Sequence, residues 1–273
     1  MTALSPATQR LRRLEQGRRA LARTIHAART LAIPALRGRA DHSTLISVAT
    51  YSPWRTDAAF GRVRQVVEDA TLLDEMRLYE LWRLAGQVGG VEGDVIEVGS
   101  WRGGAGCLIA SRVAEQAPGA TVFLCDTFEG VVKAGPDDPT YQGGEHADAS
   151  PEMVRALAAE LGLSNVEVLV GTFPDDTGAA VEERSFRFVH MDLDVYRSSR
   201  EAFEWLRPRL AVGSVTVFDD YGFSLTEGAR KFVDELEGDP DFVIVHNLNG
   251  HAVVVRRSAS GAAPRRARGG AGS

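Results

Sequence analysis

From Asp94 onward, short runs rich in β-branched and aromatic residues alternate with longer segments of helical periodicity. This alternation predicts βαβ units, in which parallel strands are joined by right-handed helical crossovers. The predicted strands span residues 95–98, 121–125, 166–170, 186–191 and 214–218. The predicted helices span residues 105–115, 151–161, 199–206 and 225–236. The chain is therefore expected to form a doubly wound α/β sheet.

Two further predicted strands follow the last helix, at residues 242–246 and 251–255. Asn249 and Gly250 lie between them, and an Asn-Gly step favours a tight hairpin. Five parallel strands followed by an antiparallel pair are the strand inventory of a class I methyltransferase sheet, whose last strand is antiparallel to the others. We therefore predict a Rossmann-like, seven-stranded α/β fold of this class.

The composition is that of an ordinary globular protein, with 44% hydrophobic and 25% charged residues. No apolar run has the roughly 18 residues of a membrane span, and the N-terminus lacks the apolar stretch of a signal peptide. We therefore expect a cytoplasmic protein with no membrane span. Cys107 and Cys125 have neither disulfide nor zinc spacing, and a net charge of −6 argues against nucleic-acid binding.

Charge is concentrated near the N-terminus, where residues 10–39 contain nine arginines and one acid, Glu15. Leucine and isoleucine recur there at helical spacing, which predicts an exposed basic helix. We expect this arm to pack on a neighbouring subunit of a homo-oligomer; docking to a membrane surface or an acidic partner is the alternative. The predicted organisation is an extension at 1–60, a methyltransferase domain at 61–257 and a disordered tail at 258–273.

The first predicted strand runs into a glycine-rich turn that contains Glu97, Gly99, Ser100, Trp101 and Gly103. Glycines at such a turn let the backbone approach a ligand closely. A nicotinamide dinucleotide site would have glycine where Trp101 stands, so a pyrophosphate is poorly accommodated. The spacing instead suits S-adenosylmethionine, and a purely structural turn is the alternative.

The second and third predicted strands also end in candidate cofactor contacts. Asp126, Thr127 and Phe128 follow the second strand, where a carboxylate can accept hydrogen bonds from both hydroxyls of a ribose. Gly171 and Phe173 follow the third strand and would form a wall for an adenine ring. The alternatives are that Asp126 caps a helix and that Phe173 is a packed core aromatic.

Acidic residues end the fourth and fifth predicted strands, with Asp192 after one and the pair Asp219 and Asp220 after the other. If these strands are adjacent, their carboxyl ends bring the three carboxylates together at one edge of the sheet. Such a cluster repels itself unless a cation binds, and all-oxygen ligands favour Mg²⁺. Capping of the following helices by these acids is the alternative.

Four motifs, which begin at Glu97, Asp126, His190 and Phe218, resemble in sequence and order those of the macrocin O-methyltransferase (TylF/MycF) family. The resemblance covers roughly residues 72–256. It implies S-adenosylmethionine and a divalent metal as cofactors, and methylation of a sugar hydroxyl on a natural product or its activated precursor. It also implies that the metal is held by Asp192, Asp219 and Asp220, and the cofactor by Glu97, Gly99, Ser100, Asp126 and Thr127.

Two side chains compete for the role of the general base that takes the proton of the sugar hydroxyl. Asp192 would lie beside both the metal and the hydroxyl, and we favour it. His146, in a polar segment before the second helix, is the alternative base or a substrate contact, because histidine exchanges protons near neutral pH. Tyr221 and Phe223 follow the acidic pair and would line the acceptor site, unless they only pack.

Two other functions stay open from the sequence. Residues 192–194 imitate the Asp-x-Asp motif with which glycosyltransferases hold a sugar nucleotide through a metal, but this interpretation leaves the glycine-rich turn unexplained. A non-catalytic protein could instead bind the cofactor or a partner through the basic arm. Such a protein would have no need to organise three carboxylates around a metal.

Overall fold

The computed structural model describes residues 10, 13, 16, 17, 19–25, 27–28, 41–42, 45 and 49–257. The chain divides into two compact units, Met1–Pro53 and Trp54–Ser273. Residues 19–25, within the predicted basic helix, are helical, and Leu21 and Ile25 are exposed. Most of the predicted arm and all of the predicted tail at 258–273 lie outside the described residues. The domain limits and the subunit contact therefore stay predictions.

Seven strands form a sheet in the order β3-β2-β1-β4-β5-β7-β6. They are β1 Asp94–Val98, β2 Val122–Asp126, β3 Val166–Val170, β4 Phe186–Met191, β5 Leu210–Phe218, β6 Phe242–His246 and β7 Ala252–Arg256. Strands β1 to β5 are parallel, whereas β7 pairs antiparallel with both β5 and β6. The predicted class I methyltransferase sheet is confirmed.

The helices of the second unit are α1 Ala58–Val67, α2 Glu75–Gln87, α3 Gly104–Gln116, α4 Pro151–Glu160, α5 Tyr196–Leu206 and α6 Glu227–Glu235. Short 3-10 turns lie at Pro53–Arg55, Glu68–Ala70, Val88–Gly90, Gly178–Val181, Arg207–Arg209 and Asp219–Gly222. Among the described helices, none has both the length and the apolar character needed to cross a bilayer.

Two of these helices, α1 and α2, lie outside the helices that the sequence predicts. Each begins at an aspartate whose side chain accepts hydrogen bonds from the first turn: Asp57 from Phe60 N, and Asp74 from Met76 N and Arg77 N. Such capping satisfies backbone N–H groups that have no partner within the helix. Strand β5 also differs, because it begins at Leu210 rather than at residue 214. Its pairing with β4 shifts register across Gly213, whose φ is +85°.

Apolar layers cover both faces of the sheet. On one face, Leu81 and Trp82 of α2 belong to a buried cluster that continues into α3 and the strands. On the other face, the rings of Phe203, Phe218 and Phe232 lie with their centroids 5.6 to 6.0 Å apart. Burying a side chain of this size stabilises the fold by about 1.5–3 kcal/mol relative to leaving it exposed. The candidate site residues lie at the carboxyl ends of the parallel strands, where ligands of open α/β sheets bind.

Candidate active site

A cavity of about 320 Å³ lies at the carboxyl ends of the parallel strands. This volume is within the range of small-molecule sites, which is about 300–1,000 Å³. The predicted site residues that line it are Glu97, Gly99, Ser100, Trp101, Asp126, Thr127, His146, Gly171, Phe173, Asp192, Asp219, Asp220 and Phe223. Three predicted site residues are not in its lining: Gly103, Phe128 and Tyr221.

The glycine-rich turn after β1 is shaped by close backbone contacts. Gly99 has a φ of +90°, and a Cβ placed there would lie 1.7 Å from the carbonyl oxygen of Asp192. Only glycine fits at this position. Gly103, at φ +84°, precedes the first turn of α3, and a Cβ there would lie 2.8 Å from Cγ1 of Val154. Gly103 therefore shapes the turn without lining the cavity.

Asp126 ties this turn to the end of β2. Its Oδ2 accepts a hydrogen bond from Trp101 N at 2.7 Å, and its Oδ1 accepts one from Phe128 N at 2.7 Å. The next helix, α4, begins at Pro151 with Ser150 as its cap, so Asp126 caps no helix. Each carboxylate oxygen has two lone pairs, so both still have acceptor capacity toward the cavity.

Two polar side chains in the cavity wall each have one buried atom that lacks a hydrogen-bond partner in the described part of the chain. Glu97 is 1% exposed; its Oε1 lies 2.9 Å from His190 Nδ1, whereas its Oε2 has no partner. Ser100 Oγ, in the residue after Gly99, is also buried and has no hydrogen-bond partner among the described residues. Because buried polar groups are normally satisfied, both atoms are suited to bind polar groups of a ligand.

The predicted adenine wall, Gly171 and Phe173, also lines the cavity. The Phe173 side chain is buried, and its ring meets that of Trp205 edge to face, with centroids 5.1 Å apart. Phe173 is thus both a packed aromatic and part of the cavity wall.

Asp192, Asp219 and Asp220, which we call the acidic cluster, come together as predicted, with one oxygen of each within 4.8 Å of the others. Burial, and then repulsion from the neighbouring carboxylates, raises the pKa of Asp192 and of Asp220 well above the usual range. Carboxylates in this arrangement carry an electrostatic cost that a bound cation relieves.

Asp219 differs from the other two acids because basic side chains contact both of its oxygens. Arg77 Nη1 lies 2.6 Å from Oδ2, and His251 Nε2 lies 2.8 Å from Oδ1. Burial raises the pKa of Asp219, but the hydrogen bond from His251 and the charge of Arg77 outweigh it, so the pKa falls below its usual value. Asp219 is therefore ionised in the folded protein.

His251 in turn contacts Glu80 of α2, with its Nδ1 2.6 Å from Glu80 Oε2. A carboxylate thus faces each ring nitrogen. Burial lowers the pKa of His251, but hydrogen bonds to Asp219 and Glu80 outweigh burial and raise it. Arg77, Glu80 and His251 are not among the site residues predicted from the sequence. A signal existed for His251, because the start of an antiparallel strand lies at the same edge as the ends of the parallel strands.

A long loop, residues 127–150, joins β2 to α4 and borders the cavity; we call it the β2–α4 loop. The Tyr141 hydroxyl donates to Asp194 Oδ1 at 2.6 Å, and Trp101 Nε1 donates to Asp148 Oδ1 at 2.8 Å. His146 is exposed on this loop, and its ring centroid lies 6.4 Å from that of Trp101. The loop therefore contacts both the glycine-rich turn, at Trp101, and the segment that follows β4, at Asp194.

The two predicted acceptor contacts have different positions. Phe223 lines the cavity and lies under the guanidinium of Arg77, whose Cζ is 4.9 Å from the ring centroid. Tyr221 does not line the cavity. Its hydroxyl donates to Asp234 Oδ1 at 2.8 Å, and its ring contacts His246. Tyr221 lies within the 3-10 turn after β5 and Phe223 follows that turn, so the two side chains point in different directions.

Comparisons with known sequences match most of the chain to one family. The model described as Macrocin-O-methyltransferase (TylF) matches residues 57–247. The 8-demethyl-8-(2,3-dimethoxy-alpha-L-rhamnosyl)-tetracenomycin-C 4'-O-methyltransferase of Streptomyces olivaceus is 34% identical over 190 residues, or 63% of this chain and 69% of the relative. Mycinamicin III 3''-O-methyltransferase of Micromonospora griseorubida is 31% identical over 183 residues, or 62% and 70%.

Solved structures share the fold. The O-methyltransferase NovP aligns with a TM-score of 0.59 and 27% identity over 69% of this chain and 82% of NovP. The calicheamicin methyltransferase CalS11 aligns with a TM-score of 0.59 and 18% identity over 80% of this chain and 99% of CalS11.

Proposed function

The chain belongs to the macrocin O-methyltransferase family, and on this basis we propose that it transfers the methyl group of S-adenosylmethionine to a sugar hydroxyl with the help of Mg²⁺. The sugar would be carried by a nucleotide or by a glycosylated natural product in secondary metabolism. The main support for the proposal is that the glycine-rich turn and the three carboxylates line the same cavity. Family membership favours methyl transfer over the glycosyl transfer suggested by residues 192–194.

The glycine-rich turn and its neighbours would hold the cofactor. Asp126 has acceptor capacity for a ribose diol, and the unpartnered Glu97 Oε2 and Ser100 Oγ are suited to polar groups of the amino-acid part. Gly171 and Phe173 would flank the adenine.

The acidic cluster fits a divalent cation by its ligand type and by its charge. Arg77 and His251 both contact Asp219. Among the described residues, no basic side chain forms an ion pair with Asp192 or Asp220, so these two carboxylates are the ones whose charge a dication would offset. Oxygen-only ligands favour Mg²⁺ over softer metals. A cation held by Asp192, Asp219 and Asp220 would supply stabilisation of negative charge on the oxygen of a bound hydroxyl.

Asp192 is the proposed general base. None of the other described residues donates a hydrogen bond to its carboxylate, so both oxygens are available to a ligand. One oxygen would accept the hydroxyl proton while the cavity walls align the hydroxyl with the methyl group. Alignment of this kind contributes about 7–11 kcal/mol in well-oriented intramolecular reactions. His146, on the β2–α4 loop, would contact the acceptor.

The test is incubation of the purified protein with S-adenosylmethionine, Mg²⁺ and a panel of deoxythymidine-diphosphate sugars and glycosides, with mass detection of a methyl increment. We expect one class of acceptor to gain 14 mass units, about one CH₂ group, and the Asp192→Ala variant to give none. Cofactor binding without methylation of any acceptor in the panel would oppose sugar methylation. Transfer of a sugar instead of a methyl group would restore the glycosyltransferase alternative.

A further inference from the structure

Side chains from two distant elements meet behind the acidic cluster. Glu80 lies on α2, and His251 follows the β6–β7 turn. We propose that His251, held by Glu80, is a positioning residue that fixes the Asp219 carboxylate and thereby raises the affinity of the acidic cluster for a divalent cation. This inference rests on the cation site of the proposed function.

Asp219 is fixed from two sides. His251 Nε2 contacts Oδ1 at 2.8 Å, and Arg77 Nη1 contacts Oδ2 at 2.6 Å. With one donor on each oxygen, rotation of the carboxylate about its Cβ–Cγ bond would break one contact or the other. Each oxygen keeps a second lone pair for a ligand. The two donors therefore select one orientation of Asp219 before a cation arrives.

His251 is itself held firmly. Glu80 Oε2 lies 2.6 Å from its Nδ1, and its backbone N–H donates to Asn249 Oδ1 at 3.0 Å. The Asn249 amide donates to the same Glu80 oxygen at 2.8 Å, and the Asn247 amide contacts the other oxygen. Glu80 therefore ties the turn of the hairpin to α2 and sets the position of the histidine ring.

The same hairpin also contacts the segment that carries Asp219. Gly222 N, at the end of the 3-10 turn that begins with Asp219, donates to Gly250 O at 2.8 Å. A Cβ on Gly222 would lie 2.6 Å from Gly250 Cα, so the two backbones are in close contact. The hairpin thus fixes Asp219 through both its backbone and its side chain.

Packing alone does not account for this arrangement. The His251 side chain is fully buried, and buried ionic groups are often less stabilising than apolar residues of the same volume. In metal sites, partners that orient the ligands typically change metal affinity about 10–100-fold when they are removed. A histidine that connects Glu80 to a candidate ligand has the geometry of such a partner.

The test is Mn²⁺ titration of the full-length protein without cofactor or acceptor, with free Mn²⁺ followed by electron paramagnetic resonance. His251→Leu removes the donor to Asp219, and we expect it to weaken Mn²⁺ binding about 10–100-fold. His251→Gln retains a donor near the position of Nε2, so its affinity should lie close to that of the unmodified protein. His246→Leu is the matched control, because His246 is an exposed histidine of the same hairpin; its affinity should not change.

A second pair of variants tests the link to α2. Glu80→Gln should also weaken Mn²⁺ binding, but by less than His251→Leu does. Glu75→Gln, at the exposed start of α2, should leave Mn²⁺ binding unchanged. Affinity for S-adenosylmethionine should stay the same in His251→Gln and Glu80→Gln, and both variants should still unfold in one cooperative transition. These measurements separate cation affinity from general damage to the fold, even if His251→Leu does not fold.

The outcomes separate the two proposals. If the unmodified protein binds Mn²⁺ and folded His251→Leu binds it equally well, the positioning role is wrong and the cation site stands. Equal losses in His251→Leu and His251→Gln would also overturn the positioning role, because a donor at this position would then be irrelevant. If the unmodified protein binds no Mn²⁺, the cation site fails and the positioning role fails with it.

Discussion

The glycine half of the cavity, residues 97–103 and 126–128, is held in shape mainly by backbone groups. The acidic half, residues 192–194 and 219–220, is held mainly by charged side chains from other elements. In the glycine half, Asp126 accepts hydrogen bonds from two backbone N–H groups, and Gly99 allows a close backbone contact. In the acidic half, Arg77 and His251 contact Asp219.

This difference has a physical consequence. Because the glycine half is fixed by backbone contacts, substitutions there should change the free energy of unfolding and the affinity for the cofactor. Because the acidic half is fixed by buried charges, substitutions there should change the affinity for a cation and the reaction rate. The two halves touch where Gly99 meets the carbonyl of Asp192. Substitutions confined to one half therefore test how far the two halves act independently.

Removal of divalent cations should have the largest effect. Methyl transfer should fall to background in excess EDTA and return with added Mg²⁺, because the acidic half would lose the charge that stabilises the reacting oxygen. Affinity for S-adenosylmethionine, measured by calorimetry in EDTA, should change little if the glycine half is independent. Full activity in the chelator would rule out a metal role.

Substitutions of the three acids should separate the base from the cation ligands. Asp192→Asn should lower kcat by about 10²–10⁴-fold, the usual contribution of a general base, and excess Mg²⁺ should not restore it. Asp220→Asn should raise the Mg²⁺ concentration for half-maximal activity and be largely restored by excess, because an amide still offers one oxygen.

Asp219→Asn should be restored less than Asp220→Asn. Its amide N–H₂ would have to face either Arg77 or His251, both of which are donors. Steady-state rates across a Mg²⁺ series for the three variants measure the differences. Full recovery of Asp192→Asn at saturating Mg²⁺ would show that Asp192 is a ligand only.

Gly99→Ala tests the contact between the halves. The new Cβ would collide with the Asp192 carbonyl, and the φ of +90° is unfavourable for alanine, so we expect a loss of about 3 kcal/mol in unfolding free energy. Gly238→Ala is the matched control, because Gly238 has a φ of +85° with nothing within 4 Å of the added Cβ. It should lose only about 1–2 kcal/mol in chemical denaturation. Equal losses would show that the contact with Asp192 contributes nothing.

Asp126→Ala should weaken S-adenosylmethionine binding by about 1.5–3 kcal/mol, the range for hydrogen bonds to a charged group. Part of this loss would come from the freed N–H groups of Trp101 and Phe128. Asp126→Asn, which keeps one acceptor oxygen, should lose less. Mn²⁺ affinity should stay unchanged in both variants. Unchanged calorimetric affinity for the cofactor in Asp126→Ala would refute the ribose contact.

Much of the fold follows from the sequence, because hydrophobic periodicity and strand length are local properties. Strands β3, β4 and β6 have the predicted limits, and the antiparallel position of β7 is confirmed. Helix α2 is not among the predicted helices, although Asp74 is a typical cap. The early start of β5 depends on a register shift at Gly213, which is set by the neighbouring strand.

Most of the candidate site could be predicted because its residues lie at or just after the ends of strands. Asp192 and Asp219 converge because parallel strands place their carboxyl ends at one edge. Arg77 and Glu80 could not be found in this way, since they contact Asp219 and His251 across 142 and 171 residues of sequence. Such pairs depend on how a helix packs on the sheet, and the local spacing of residues in the sequence does not predict that packing.

His146 should have the smallest effect, and it tests a residue that belongs to neither half. It lies on the β2–α4 loop, where it faces the Trp101 ring at 6.4 Å between centroids and is exposed. From this position His146→Ala should raise the KM of the acceptor and change the single-turnover rate of methyl transfer by less than about tenfold, a difference of 1.4 kcal/mol. Ala147→Gly is the control for loop flexibility, because Ala147 is an exposed neighbour on the same loop. If His146→Ala instead abolishes single-turnover transfer while Mg²⁺ restores Asp192→Asn, the base is His146, and the loop supplies the proton acceptor for the acidic half.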